Sequence, residues 1–174
     1  MRLRDIHTGE CLQILQRHTG WARAIAFSQN GEILASGSVD QTVRLWDINS
    51  GECLNIFHGH TDWIRSVAFS YSGELVASGS VDKTVRLWNI RTGECLKVLQ
   101  SHISRINSFT FSSDGKLIAT CSRDGTIMIW EIETGECLKI LKSDRPYENM
   151  NITGVTGLTE VEKATLKALG AVEN

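Results

Sequence analysis

The chain has 174 residues, 41% hydrophobic and 22% charged, with a formal net charge of -2, a composition that excludes a disordered or fibrous chain and fits a soluble globular one. Lysine and arginine are scattered along it rather than gathered into a basic stripe, so nucleic acid is not an expected partner. No apolar run approaches the roughly eighteen residues of a membrane span, and MRLRDIHTGE lacks the apolar core of a signal peptide; a cytoplasmic protein with no membrane partner is expected.

Met1 to Ile6, MRLRDI, matches Val43 to Ile48, VRLWDI, with Arg4 in the place of Trp46. The pattern predicts a strand over Arg2 to Ile6, a turn at His7 to Glu10 and a second strand over Cys11 to Leu15. A polar loop follows, Arg17-His18-Thr19-Gly20-Trp21, then an apolar run, Ala24 to Phe27, and a turn, SQNGE. From Ile33 to Trp46 the sequence ILASGSVDQTVRLW joins an apolar run of small and β-branched residues to a second, alternating run through the turn V-D-Q-T, which is the pattern of a hairpin. It returns at Leu75 to Trp88 as LVASGSVDKTVRLW, sharing eleven of fourteen residues with the first copy, and at Leu117 to Trp130 as LIATCSRDGTIMIW. Trp46, Trp88 and Trp130 stand 42 residues apart, as do His18, His60 and His102, and as do the cysteines of TGECL, SGECL, TGECL and TGECL. SQNGE recurs as SYSGE and SSDGK, with glycines that supply the turns.

Each complete unit reads as four short strands, and a four-stranded antiparallel sheet repeated at this period is the signature of a propeller blade. The expected fold is all-β: a half blade of two strands over 1–16, complete blades over 17–58, 59–100 and 101–142 in an open arc, and a tail over 143–174. Asp144 falls where a fourth periodic His would stand, so the array ends there. In the tail, Thr159 with Glu162 three residues on is a capping box. Val161, Ala164, Ala168 and Leu169 share a face and Gly170 is a stop, which predicts a helix over about 160–169 that could cover the last blade.

His60, Asp82 and Ser78 are the residue types of a hydrolase triad. The same set occurs as His18, Asp40, Ser36 and as His102, Asp124, Thr120, whereas an active site needs one nucleophile in one cleft. Three copies imply a structural task, and neither a catalytic residue nor a cofactor is expected. Cys11, Cys53, Cys95 and Cys137 lack the paired spacing of zinc ligands, so no metal is expected either. They are expected to be small, partly buried strand residues with free thiols, and Cys121 to replace the glycine of Gly37 and Gly79 in a packed strand. Arg44 and Arg86, at alternating strand positions, are expected to be solvated.

With its GH-like dipeptides, small-residue strand, turn Asp, and the pairs Trp46-Asp47, Trp88-Asn89 and Trp130-Glu131, the chain resembles WD40 repeats over about 140 residues. Together with the tail it resembles the last blades of large bacterial WD40 signalling proteins, although no phosphate-binding loop of a nucleotidase is present. The resemblance implies a buried hydrogen-bond relay in each blade: His18, Ser36, Asp40, Trp46; His60, Ser78, Asp82, Trp88; His102, Thr120, Asp124, Trp130. It also implies a face for protein partners carrying Trp21, Val39, Trp63, Val81, Arg105 and Arg123. The expected function is a non-catalytic scaffold, a fragment or half of a complete propeller, that self-associates or pairs with missing blades. The alternatives are a sensor array separated from a larger signalling NTPase, and part of a propeller hydrolase or lyase.

Overall fold

A computed structural model describes residues 1–100, 102–142, 151–153, 155–156, 159–168 and 171–173. The expectations that rest on Ser101, Asp144, Leu169 and Gly170 lie outside the described residues. Two compact units are present, Met1–Leu141 and Lys142–Asn174.

The first unit opens with β1 (Arg2–Arg4) and β2 (Cys11–Ile14), an antiparallel pair. Three four-stranded antiparallel sheets follow, each in simple sequential order. The first blade holds β3 (Ala22–Phe27), β4 (Ile33–Ser38), β5 (Val43–Asp47) and β6 (Cys53–Phe57). The second holds β7 (Ile64–Phe69), β8 (Leu75–Ser80), β9 (Val85–Asn89) and β10 (Cys95–Leu99). The third holds β11 (Ile106–Phe111), β12 (Leu117–Ser122), β13 (Thr126–Glu131) and β14 (Cys137–Lys142). Up-and-down connectivity puts the loop into each blade and its central turn at one end, and the other two turns at the opposite end.

The core lies between blades, because a sheet with two apolar faces can bury both only against neighbours. Phe57, at the end of β6, stacks on Trp88 of the next blade with ring centroids 5.3 Å apart. Leu15 packs with Leu34 and Trp46, and Leu99 with Trp130, in the equivalent places. Burying one such side chain contributes about 1.5–3 kcal/mol. The middle strands are buried on both faces, which is why β4 and β8 read as continuous runs of apolar and small residues.

Gly37 and Gly79 sit where the next blade comes closest. A Cβ on Gly37 would collide with Ile64 Cγ2, and one on Gly79 would lie 2.8 Å from Ile106 Cγ2. Cys121 stands at the equivalent position of the third blade and is half-buried, with Ile127 beside it 43% exposed where Val43 and Val85 are buried. The first blade is bare on its other side: Ile25 is 59% exposed, whereas Val67 and Phe109 at that position are buried against a preceding blade. The arc is open at both faces.

Two expectations are corrected. Cys11 and Cys95 are exposed rather than partly buried, although Cys53 and Cys137 are half-buried; all five cysteines are free. Cys11, Cys53, Cys95 and Cys137 open β2, β6, β10 and β14, the outermost strands, where no fifth strand shields them. Arg44 and Arg86 are half-buried instead of solvated, and Arg86 lies over the Trp88 ring at 6.0 Å, because their strand face turns toward the preceding blade.

In the second unit α1 (Glu160–Ala168) is closed at its N-terminus by the capping box: Thr159 N–H donates to Glu162 Oε2 at 2.8 Å, and Glu162 N–H to Thr159 Oγ1 at 3.3 Å. None of its residues is buried, and no described helix is long and apolar enough to cross a membrane.

Candidate functional site

The end of the arc that carries the entry loops and central turns gathers the residues the repeat singles out. In the second blade the Trp88 Nε1–H donates to Ser78 Oγ at 2.8 Å, Ser78 Oγ lies 2.7 Å from His60 Nε2, and His60 Nδ1 lies 2.7 Å from Asp82 Oδ2. The first blade repeats this chain through Trp46, Ser36, His18 and Asp40 at 2.7, 2.7 and 2.9 Å. The third does so through Trp130, Thr120, His102 and Asp124 at 2.9, 2.8 and 3.1 Å. Because indole can only donate, the proton order runs Trp N–H to hydroxyl, hydroxyl O–H to imidazole Nε2, and imidazole Nδ1–H to carboxylate, which assigns the histidine tautomer.

Burial opposes ionisation of Asp40, Asp82 and Asp124, but the donors around each outweigh it and hold the carboxyl well below the usual range: Thr42 and His18 for Asp40, His60 and Thr84 for Asp82, Thr126 and His102 for Asp124. Burial pushes His18 below its ordinary value even though Asp40 pulls the other way. The pair is therefore a neutral imidazole donating to a carboxylate, a charge-assisted hydrogen bond rather than an ion pair.

Sequence reasoning missed several members of this network. Thr42, Thr84 and Thr126 each donate both the backbone N–H, at 2.9–3.0 Å, and the hydroxyl, at 2.5–2.7 Å, to the other carboxylate oxygen. Ser38, Ser80 and Ser122 accept from the backbone N–H of the turn Asp at 3.0–3.2 Å. The signal was present in the unvarying S-x-D-x-T of the three copies. The turn also needs a left-handed residue after the Asp: Gln41 has φ of 70° and Lys83 of 74°, with Gly125 in the same place at 82°. For Gln41 and Lys83 this is a sparsely populated conformation, held by the bonds on either side.

The candidate face residues are brought together in pairs. Val39 N–H donates to Trp21 O, Val81 N–H to Trp63 O, and Arg123 N–H to Arg105 O, at 3.0, 2.9 and 3.1 Å. Trp21 is 78% exposed; Trp63 is 44% exposed and carries the Arg23 guanidinium 5.7 Å above its ring. Among the described residues no three of His, Cys, Asp and Glu converge to hold a metal ion. The arrangement offers an open surface of aromatic and guanidinium groups on a hydrogen-bonded base, repeated with variation from blade to blade.

A family model described as WD domain, G-beta repeat matches residues 9–47, 51–89 and 93–131. An uncharacterised WD repeat-containing protein of Nostoc sp. is 78% identical over 32 residues, 18% of this chain and 2% of that protein. The matched stretch is thus a very small part of the relative's length.

Proposed function

This chain belongs to the WD-repeat family, and from that premise we propose that it is a non-catalytic interaction module that presents the Trp21, Trp63, Arg105 and Arg123 end to protein partners in the cytoplasm. The observation that carries this is the threefold copying of the His–Asp–Ser/Thr set: each copy is closed on itself, and the residues that vary from blade to blade are those on the exposed surface above it. Exposed tryptophan and arginine are the residue types that anchor protein interfaces. The bare faces of the first and third blades favour association, either of two copies or with blades from another chain, since exposed patches of that kind bury themselves against partners.

The test is capture of partners from the native host with the tagged chain, followed by binding measurements with the purified partner. Trp63→Ala combined with Arg123→Ala lowers affinity tenfold or more, while Arg91→Ala, at the opposite end, leaves it unchanged. Equal losses from both changes would overturn the choice of face. A compatible second reading is that the blades form a regulatory array within a longer protein. The relative's much greater length favours it, and sequencing of the adjoining reading frame tests it.

A further inference from the structure

The seam between the second and third blades departs from the seam before it in one respect. Arg23 of the first blade lies 5.7 Å over the Trp63 ring of the second. One period of 42 residues on, the two positions are Arg65 and Arg105. Where the first seam matches a cation with an aromatic face, the repeat puts a second arginine, Arg105, in the place of that aromatic. Both are half-buried, and the Nε of each is buried with no hydrogen-bond partner. Arg44 and Arg86 also have an unpartnered Nε, but Arg86 lies over Trp88 and both place Nη1 3.8–4.0 Å from a cysteine Sγ. Among the described residues no aromatic ring, sulfur or carboxylate engages the guanidinium of Arg65 or Arg105. Arg123, exposed and tied to Arg105 through its backbone N–H, adds a third cation at this end of the seam.

None of these three is paired with a carboxylate among the described residues. Among the described residues the acids on the loops and turns of this end are the three relay aspartates, already engaged by their own donors, and Asp62, which accepts from Trp63 N–H at 2.7 Å. Glu32, Glu52, Glu74, Glu94 and Glu136 all stand on the turns of the opposite end. Two like charges half-buried side by side are unfavourable alone and become favourable when an anion bridges them, because each guanidinium then gains a charge-assisted, bidentate partner.

We propose that Arg65, Arg105 and Arg123 form a carboxylate-binding site at the seam between the second and third blades, and that its ligand is an acidic peptide segment of a protein partner. This rests on the assignment of the same end as the docking face and supplies the chemistry of what docks there. A peptide fits better than a free anion or a nucleic acid: the site is open rather than enclosed, it lies beside the exposed Trp63 and the half-buried Val81, and the chain's net negative charge with its acidic opposite end repels an extended polyanion.

The experiment uses the full chain and a fluorescein-labelled decaglutamate peptide, read by anisotropy at 50 mM and 300 mM salt. Saturable binding that weakens at least fivefold at the higher salt is expected. Arg65→Gln, Arg105→Gln and Arg123→Gln each weaken it tenfold or more, and Arg91→Gln does not. Arg105→Trp restores the residue type of Trp63 and with it the aromatic face for Arg65, so it abolishes peptide binding while raising the melting temperature. A merely structural arginine would lower the melting temperature on replacement. Absence of saturable binding at 50 mM salt overturns the proposal, as does retention of affinity in Arg65→Gln and Arg105→Gln. Stronger competition by inorganic phosphate or a single-stranded oligonucleotide than by unlabelled decaglutamate overturns it as well. Failure of decaglutamate together with loss of a purified native partner on Trp63→Ala would refute the acidic chemistry and leave the docking face standing.

Discussion

Asp82→Ala tests whether the repeated network is a structural element. Asp82 accepts four hydrogen bonds, from His60 Nδ1–H at 2.7 Å, Thr61 N–H at 3.1 Å, Thr84 N–H at 2.9 Å and Thr84 Oγ1–H at 2.7 Å. The His60 side chain has no exposure to solvent, so its Nδ1–H is stranded when the carboxylate is removed. A buried donor left without a partner costs about 1–3 kcal/mol. Thr84 N–H, also in the interior of the turn, adds about 1 kcal/mol, whereas Thr61 is exposed and its N–H turns to water. Thr84 Oγ1 lies 3.3 Å from His60 Nδ1 and recovers part of the loss by rotating to accept from it. The sum is about 3 kcal/mol, or about 6–12 °C in melting temperature for a chain of this size. Urea unfolding at matched protein concentration measures it, with Asp47→Ala as the control: Asp47 bonds only within its own exposed turn, to Ser50 N–H at 2.7 Å, and its loss costs under about 1 kcal/mol. A variant within about 0.5 kcal/mol of the parent chain would refute the structural role of the network.

Gly79→Ala brings a Cβ to 2.8 Å from Ile106 Cγ2 and 3.1 Å from Phe109 Cδ1, and is expected to lower stability by about 1–3 kcal/mol in urea unfolding, while Cys121→Ala, facing no blade, changes it by less than about 0.5 kcal/mol. Burial lowers the His18 pKa from its ordinary 6.5, so protons bind the unfolded chain more readily: the contribution is complete above pH 6.5 and is lost as the pH falls below it, and His18→Gln removes that step from a plot of melting temperature against pH. The relay carboxyls, lowered from 3.8, add stability that is complete above about pH 4 and is lost in stronger acid; a melting temperature that rises as the pH falls from about 7 to about 5 would contradict the histidine sign, and one that rises from about pH 4 to about pH 2 the carboxyl sign. Replacement of Cys11, Cys53, Cys95 and Cys137 together by Ser leaves the melting temperature within a few degrees, and thiol labelling of the parent chain modifies the exposed Cys11 and Cys95 before Cys53 and Cys137; a large loss of stability would assign these positions a packing role. Light scattering on the purified chain is expected to give a mass above the 19.3 kDa of one copy, and a cooperative monomer that binds no hydrophobic dye would remove the case for association through the bare blade faces.

The all-β fold of repeated blades followed by a short helix was legible in the sequence, because a repeat displays its own register: the 42-residue spacing of Trp46, Trp88 and Trp130 assigns equivalent environments before any distance is known. The capping box at Thr159 was legible for a similar reason, being a contact between near neighbours in the chain. Of the candidate site, the periodicity drew attention to His60, Asp82, Ser78 and Trp88 but not to Thr84, whose role depends on a tight turn held at φ of 74° by Lys83. What lies between blades was not legible. Arg86 alternates along β9 as a solvated residue would, yet it lies over Trp88, because strand periodicity distinguishes two faces without saying whether both are covered. The same limit hid the contact of Arg23 with Trp63, and the difference between Gly79, where a Cβ would press on Ile106, and the half-buried Cys121. Local pattern is set by bonds and neighbours within a strand, and so it is written in sequence order; which blade face meets which neighbour is set by packing across the arc, and only the tertiary structure decides it.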